Sequence, residues 1–387
     1  MIGMSAVIFI PDDTAKTGYP QPLMLQSVMG APLLAWLANA LFDSGVGRFF
    51  LVCHDRYVEA ARACLPAEAE VMTTMDSDPA DLLHVFLSTA EDAEHTITVV
   101  TGPAVYLPPL APQAAGRFPR VYGVSREELM QALDEHFSFA RFLLDNGSPM
   151  NEEQAMYSVA SPAELPEIAG LLQRNRLLAL ARTGVEIYDA SSCYVEPSVR
   201  VAPGARLLPG TMLRGKTVIG EEAVIGPWSV IDDSVIGARA VVNASQVRDS
   251  RVGQDAVVGP YASVRGGCEL GRSVRAGSFV ELKNARLGEN TQEPHLGYLG
   301  DTEAGANCNF GCGVTTANFD RVQKHETVVG EGAFIGCNTA LIAPLQVGSG
   351  AYIGAGSTIT EDVPAQALGI ARARQSNKKE WAAKHKK

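Results

Sequence analysis

The sequence predicts two fold classes in series: a Rossmann-like α/β unit, then a parallel β-helix of hexapeptide repeats, with a helix linking them. Two observations predict this. In the C-terminal half Val329, Ile335, Leu341, Val347, Ile353 and Ile359 stand six residues apart, and Gly follows four of them. An earlier run from Ile219 through Ile225, Ile231, Ile236, Val242, Val247, Val252 and Val258 to Val264 keeps the beat with three slips to five. A six-residue period fits neither an amphipathic helix nor an alternating strand, but fits short strands that each end in a turn to a new face. In the N-terminal half, apolar strand runs alternate with helical runs, which implies a largely parallel sheet covered by helices on both faces.

Taken in order, Ser5–Ile10 reads as a strand, Leu33–Asp43 as a helix and Arg48–Cys53 as a strand. A helix near Ala80–Leu87 and a strand at Thr96–Thr101 follow. Ser125–Asn146 reads as a helix, because Ser125 with Glu128 three residues on makes a capping box and Gly147 supplies the stop. A linker helix spans about Ser161 to Thr183, with Ser161 as cap, Pro162 in the first turn and Gly184 after its end. The expected boundaries are 1–158 for the α/β domain, 159–184 for the linker, 185–374 for the β-helix and 375–387 for a basic tail. Roughly three hexads per coil at about 4.8 Å per coil give about ten coils and a rod about 45–50 Å long.

Composition narrows the function. The hydrophobic fraction of 46% and charged fraction of 19% are those of an ordinary globular chain. A net charge of −11 argues against general nucleic-acid binding, which needs a basic face. No apolar run is long enough to span a bilayer, and no secretory signal pattern opens the chain, so the cytoplasm is the expected compartment. Seven scattered cysteines suit free thiols; Cys308 and Cys312 are read as small core-turn residues. The tail gathers Lys378, Lys379, Lys384, Lys386 and Lys387, which reads as a solvated end or as an attraction for a polyphosphate.

Between Leu287 and Val328 the beat degrades, and this stretch holds His295, Tyr298, Asn309, Asn318, Lys324 and His325. An irregular loop reaching out of the rod to form a site is the expectation. His295 is the natural general base, since imidazole titrates near neutrality. Arg265, Lys283 and Lys324 are cations in or beside a rod with few charges, and suit a phosphate-bearing substrate.

These residues carry a resemblance. The runs 279–288 (FVELKNARLG), 295–301 (HLGYLGD), 307–320 (NCNFGCGVTTANFD) and 328–336 (VVGEGAFIG) resemble the acetyltransferase half of the bifunctional N-acetylglucosamine-1-phosphate uridyltransferase/glucosamine-1-phosphate N-acetyltransferase family. So does 360–364 (TEDVP) with Arg372 after it; the match covers about Gly184 to Lys378. The resemblance implies a left-handed β-helix, a homotrimer with sites between adjacent rods, and acetyl-CoA as co-substrate. It implies N-acetyl transfer to glucosamine 1-phosphate on the way to UDP-GlcNAc and cell-wall precursors, with no metal needed for that step. It implies His295 as catalytic base. Arg265, Lys283, Tyr298, Asn309 and Lys324 fall on sugar-phosphate positions, and Asn318 on a position near the acyl group. Cys312, Cys337 and Ala355 fall where small residues let the coenzyme's arm lie, and Arg372 and Lys378 where its phosphates are held. Phe319 stands where a Tyr is usual.

The N-terminal half departs from that family. The glycine-rich phosphate loop is reduced to Pro11–Pro20 with one Gly, and Pro22-Leu23 replaces Pro-Lys. Gly102-Pro103 replaces the Gly-Asp whose Asp binds Mg²⁺, and a metal-binding Asn aligns near Ser161. The expectation is a degenerate nucleotidyltransferase fold without uridyltransfer, with Mg²⁺ relevant only if this half is active, and with a capping, trimer-supporting or ligand-sensing role. Three other functions stay open: acyl transfer to a different amino-sugar phosphate, a non-catalytic sensor of sugar nucleotide or coenzyme, and a zinc enzyme of the γ-carbonic anhydrase type. The last needs three His, and the rod offers only His295 and His325.

Overall fold

A computed structural model describes residues 4–75, 79–89, 96–106, 121–134, 139–150 and 156–385. The chain forms two compact units: Met1–Arg182 with Tyr194–Val199, and Thr183–Cys193 with Arg200–Lys387.

The first unit is built on a six-stranded sheet. Its order is Glu70–Thr74, Arg48–Val52, Ser5–Phe9, Thr96–Val100, Val121–Ser125, Ser148–Met150. The first four strands run parallel, Val121–Ser125 runs antiparallel to Thr96–Val100, and Ser148–Met150 antiparallel to Val121–Ser125. Alternation along the strands sends apolar side chains to both faces. Ala6, Ile8, Phe49 and Leu51 meet helix Leu33–Asp43 and the Ile168 and Leu172 side chains of helix Leu165–Arg182. Val7, Phe50, Ile97 and Val99 meet Leu83, Phe86, Leu129 and Phe142 on the other side. Burying each such side chain contributes about 1.5–3 kcal/mol. The Ser125 hydroxyl accepts from the Glu128 N–H at 3.4 Å, as a capping box requires. The helical run it starts is described as Arg126–Asp134 and Phe139–Asn146, with 135–138 outside the described residues. Ser161 does not cap with its side chain; instead the Glu164 carboxylate reaches back to the Ala160 N–H at 3.1 Å, and a 3₁₀ turn at Pro162–Glu164 precedes the helix.

The second unit is the β-helix. Short strands repeat on three faces, and each pairs in parallel with the strand one coil on. Arg206 pairs with Val224, Val218 with Val235, and Met212 with Val230. The beat residues Ile219, Ile225, Ile231, Val242, Val258, Ile335 and Ile353 are all buried. Hydroxyls at inner corners close the remaining carbonyls: Thr211 Oγ1 donates to Leu208 O at 2.7 Å, and Ser245 Oγ to the Asn243 carbonyl at 2.6 Å. Among the described residues no helix is long and apolar enough to cross a membrane.

The expected irregular loop between Leu287 and Val328 is mostly absent. Arg275–Leu287 and Gln292–Ala304 are unbroken strands of 13 residues each that stay paired along their length. Leu287, Glu293, Leu299, Ala304, Phe310 and Thr316 carry the beat inward through the whole stretch. The rhythm was hidden because a carboxylic acid and a threonine occupy two of its core positions. The true excursion is short. Tyr298 pairs with Thr315, seventeen residues on, but Thr302 pairs with Thr327, twenty-five on, so only the segment after Ala317 leaves the coil.

Candidate active site

His295 lies on the strand Gln292–Ala304, at the corner between two rod faces, and is exposed. Register fixes what stands along that edge. Ser278 pairs with His295 on one side. On the other, Gln292 pairs with Asn309 and Tyr298 with Thr315, which sets Cys312 opposite His295. Phe310 pairs with Ile335 and Thr315 with Ala340, which sets Cys337 opposite Cys312. Phe334 pairs with Tyr352 and Ala340 with Thr358, which sets Ala355 next. The edge above the imidazole is thus a shelf of small exposed side chains, Cys312, Cys337 and Ala355. Cys312 is therefore not the core-turn residue expected of it, whereas Cys308 is buried. The two part because the inner and outer positions of a coil alternate along its strands and turns.

The face that follows this corner carries the charges. Arg265, Lys283 and Gly300 form one row across three coils, and Ser263, Glu281, Tyr298 and Thr315 form the next. The Arg265 guanidinium donates to the Glu281 carboxylate. A side chain at Gly300 would collide: its Cβ would fall 2.3 Å from the Tyr298 hydroxyl and 2.8 Å from Asn318 Nδ2. Both polar groups therefore lean over a notch that glycine leaves open. Asn318 is buried, and its amide donates to Asp301, which also accepts from Asn284 at 2.7 Å.

Lys324 comes from the excursion and meets Lys283. The Lys324 amine beside it, with the Arg265 charge behind, holds the Lys283 ammonium below the usual lysine range, while Asp301 opposes the shift. The excursion is a braced hairpin. Phe319 and Lys324 bridge in antiparallel fashion, and the His325 N–H donates to the Asn318 carbonyl at 2.8 Å. Asp320 Oδ1 accepts from the N–H groups of Val322 at 2.7 Å and Gln323 at 2.8 Å, and its Oδ2 meets His325 Nε2 at 2.7 Å. The Gln323 N–H first, and then the His325 ring, hold the Asp320 carboxyl well below the ordinary carboxylate range.

The structure therefore gathers Arg265, Lys283, Tyr298, Asn318 and Lys324 on one face, with His295 at its edge. Asn309 is elsewhere. It pairs with Gln292 and Phe334 on the face before the corner. Arg372 and Lys378 follow the last coil strand, Leu368–Gly369, and are exposed. Sequence reasoning missed Glu281, Asp301 and Asp320, the acids that position these cations and amides. It also missed Glu293, which the beat could have found. Glu293 is fully buried at an inward position, and neither of its carboxylate oxygens has a partner. Burial, with the Cys337 thiol as a lesser cause, pushes its carboxyl up to about 9. It fits only because residue 297 is glycine, whose Cβ would stand 1.9 Å from Glu293 Oε1.

Residues 326–361 match the family described as bacterial transferase hexapeptide (six repeats). The chain is 42% identical to the Bifunctional protein GlmU of Clostridium perfringens over 240 residues, 62% of this chain and 53% of that protein. It is 48% identical to the Caldicellulosiruptor saccharolyticus protein of the same name over 203 residues, 52% of this chain and 44% of that one. The chain thus spans about half the length of the curated relatives it matches. The solved structure of the Francisella novicida UDP-N-acetylglucosamine acyltransferase aligns with 48% of this chain and 66% of its own, at 18% identity and a TM-score of 0.32.

Proposed function

We propose, starting from the likeness to the bifunctional GlmU proteins, that the β-helix unit is an acyltransferase that moves an acetyl group from acetyl-CoA to the amine of glucosamine 1-phosphate. The observation that carries this is the meeting of Arg265, Lys283 and Lys324 beside the His295 edge. Lys283 and Lys324, crowded together with the Arg265–Glu281 pair behind them, repel one another enough to push one ammonium below its usual range, and an anion relieves them. A phosphate ester satisfies them, and Arg265 offers it a planar fork.

His295 takes the proton that the amine loses as it attacks the thioester carbonyl, a contribution of about 10²–10⁴-fold. Its exposure at the corner suits contact with a substrate lying across the edge. Tyr298 and Asn318, leaning over Gly300, orient the sugar and the acyl group, which lowers the entropic part of the barrier. The shelf of Cys312, Cys337 and Ala355 is narrow enough in side-chain size to admit the coenzyme's thin arm against the rod. Arg372 and Lys378 then lie at the end where its phosphates would be held.

Asn309 belongs to the face before the corner, so one rod does not enclose the set. A second copy of the chain laid against the edge would complete it, and a homotrimer, in which each rod meets two others, is the proposed assembly.

In the first unit, groups that could hold a nucleotide phosphate are used internally. Asp12 takes the Thr14 hydroxyl at 2.7 Å and the Arg56 guanidinium, and Asp13 takes the Leu23 N–H at 2.9 Å. Leu23, where the resemblance has a lysine, is a core side chain at 1% exposure. Carboxylates at the strand ends repel the phosphates such a loop must grip. The proposed unit therefore lacks uridyltransfer. A continuous assay of thiol release from acetyl-CoA, with and without glucosamine 1-phosphate, tests acyl transfer; a UTP-dependent pyrophosphate assay tests the first unit.

A further inference from the structure

Five of the seven cysteines are buried, and the two that are exposed, Cys312 and Cys337, stand at the same register position on adjacent coils. The Asn338 N–H donates to the Cys312 carbonyl at 2.8 Å, and the Gly311 N–H to the Ile335 carbonyl at 2.8 Å, which locks this register on both sides of the pair. Cys337 Sγ leans back toward the coil of Cys312, and lies 2.9 Å from the point where a Cβ on Gly311 would stand. Strands stacked in register are about 4.8 Å apart, inside the Cα separation of about 4.4–6.8 Å that a disulfide bridges. The Cβ spacing is then slightly above the preferred range of about 3.5–4.5 Å. Closure draws the two coils together a little, which favours a bond that reducing agents open readily.

We propose that Cys312 and Cys337 are a reversible oxidation site, closing as a disulfide between coils beside His295 and so blocking the shelf along which the acyl carrier lies. The second half of this statement rests on the acyltransferase reading above; the first does not. With a peroxide as oxidant, one thiolate attacks the O–O bond, taking one oxygen and releasing water. The second sulfur displaces that oxygen, also as water, and the S–S bond forms. Two thiols lose two electrons and two protons, and one peroxide becomes two waters. The effect on turnover is steric. The shelf is made of small side chains, and a bridge across two of its steps fixes their sulfurs.

The test uses the full chain, reduced and desalted, then treated with equimolar hydrogen peroxide. The expected native protein has two thiols that react quickly with a disulfide reagent before treatment and none after it. Its mass falls by about 2 Da, a single cross-link joins the peptides of Cys312 and Cys337, and dithiothreitol reverses both. Acyl transfer falls at least tenfold on oxidation and returns on reduction. Cys312→Ser and Cys337→Ser, each compared only with its own reduced form, form no link and show no such loss. A mass gain from sulfenic or sulfinic acid without the link, or a link between other cysteines, overturns the site. A link that leaves turnover unchanged overturns the blockade. Absence of acyl transfer in the reduced protein would instead reject the acyltransferase reading, and the mass readout would still decide the thiol pair.

Discussion

Replacing Glu293 by glutamine keeps the side chain's size and removes its titration. The carboxyl is fully buried, without a partner for either oxygen, and burial carries it from an ordinary 4.5 to about 9. At pH 7 the unfolded chain releases this proton and the folded chain must hold it. A gap of about 2.5 pH units at about 1.36 kcal/mol each costs the fold about 3 kcal/mol. The sign follows from the direction of the shift. The raised carboxyl leaves stability intact below pH 4.5, erodes it by about 1.4 kcal/mol per unit as pH rises, and stops eroding it above about 9. Glu293→Gln should therefore be more stable than the parent, by a margin that widens between pH 5 and pH 9. Thermal melts of both proteins at pH 5, 7 and 9 measure it. At pH 7 the gain corresponds to about 6–12 °C in the melting transition of a unit of this size. Two melting curves offset by the same amount at every pH would refute the reasoning, because the carboxylate would then have a partner or water in the folded rod.

His295→Ala should lower kcat by about 10²–10⁴-fold with little change in acceptor KM, as read from initial rates. Lys283→Ala should raise KM for glucosamine 1-phosphate and leave KM for glucosamine nearly unchanged, since what it removes is a partner for the phosphate. Asp320→Ala should release the hairpin that carries Lys324 and speed limited proteolysis after Arg321 or Lys324, with a rise in acceptor KM. In the parent, this brace should be fully present above pH 3.8 and lost only as pH falls through the carboxyl's lowered value, which a pH series of the same proteolysis would follow.

The rod was legible because its core rests on one simple periodicity, and Ile219, Val258 and Ile335 are buried where the beat puts them. The strand and helix runs of the first unit were legible for the same reason: Leu33–Asp43 is a helix with the bounds its apolar pattern gives. The strands Glu70–Thr74 and Val121–Ser125 were not, since polar and half-buried residues dilute their alternation. The stretch around His295 is not legible from apolarity, because Glu293 and Thr316 are inward without being aliphatic. Backbone pairing continues there regardless of side-chain polarity. The grouping of Lys283 with Lys324, and the separation of Asn309 from both, depend on which corner each residue follows. That is a property of coil length, and a hairpin of a few residues after Ala317 changes it.

If the edge of His295 and the three cations beside it form an acyl-transfer site for a phosphorylated amino sugar, one reaction decides it: the reduced protein is mixed with acetyl-CoA and glucosamine 1-phosphate, and both the free coenzyme thiol and the N-acetylated sugar are followed. The two products should appear in equal amounts, dependent on the amine and lost in His295→Ala. Reduced, folded protein that releases no thiol above the buffer rate, or that works equally well with alanine at position 295, would contradict it.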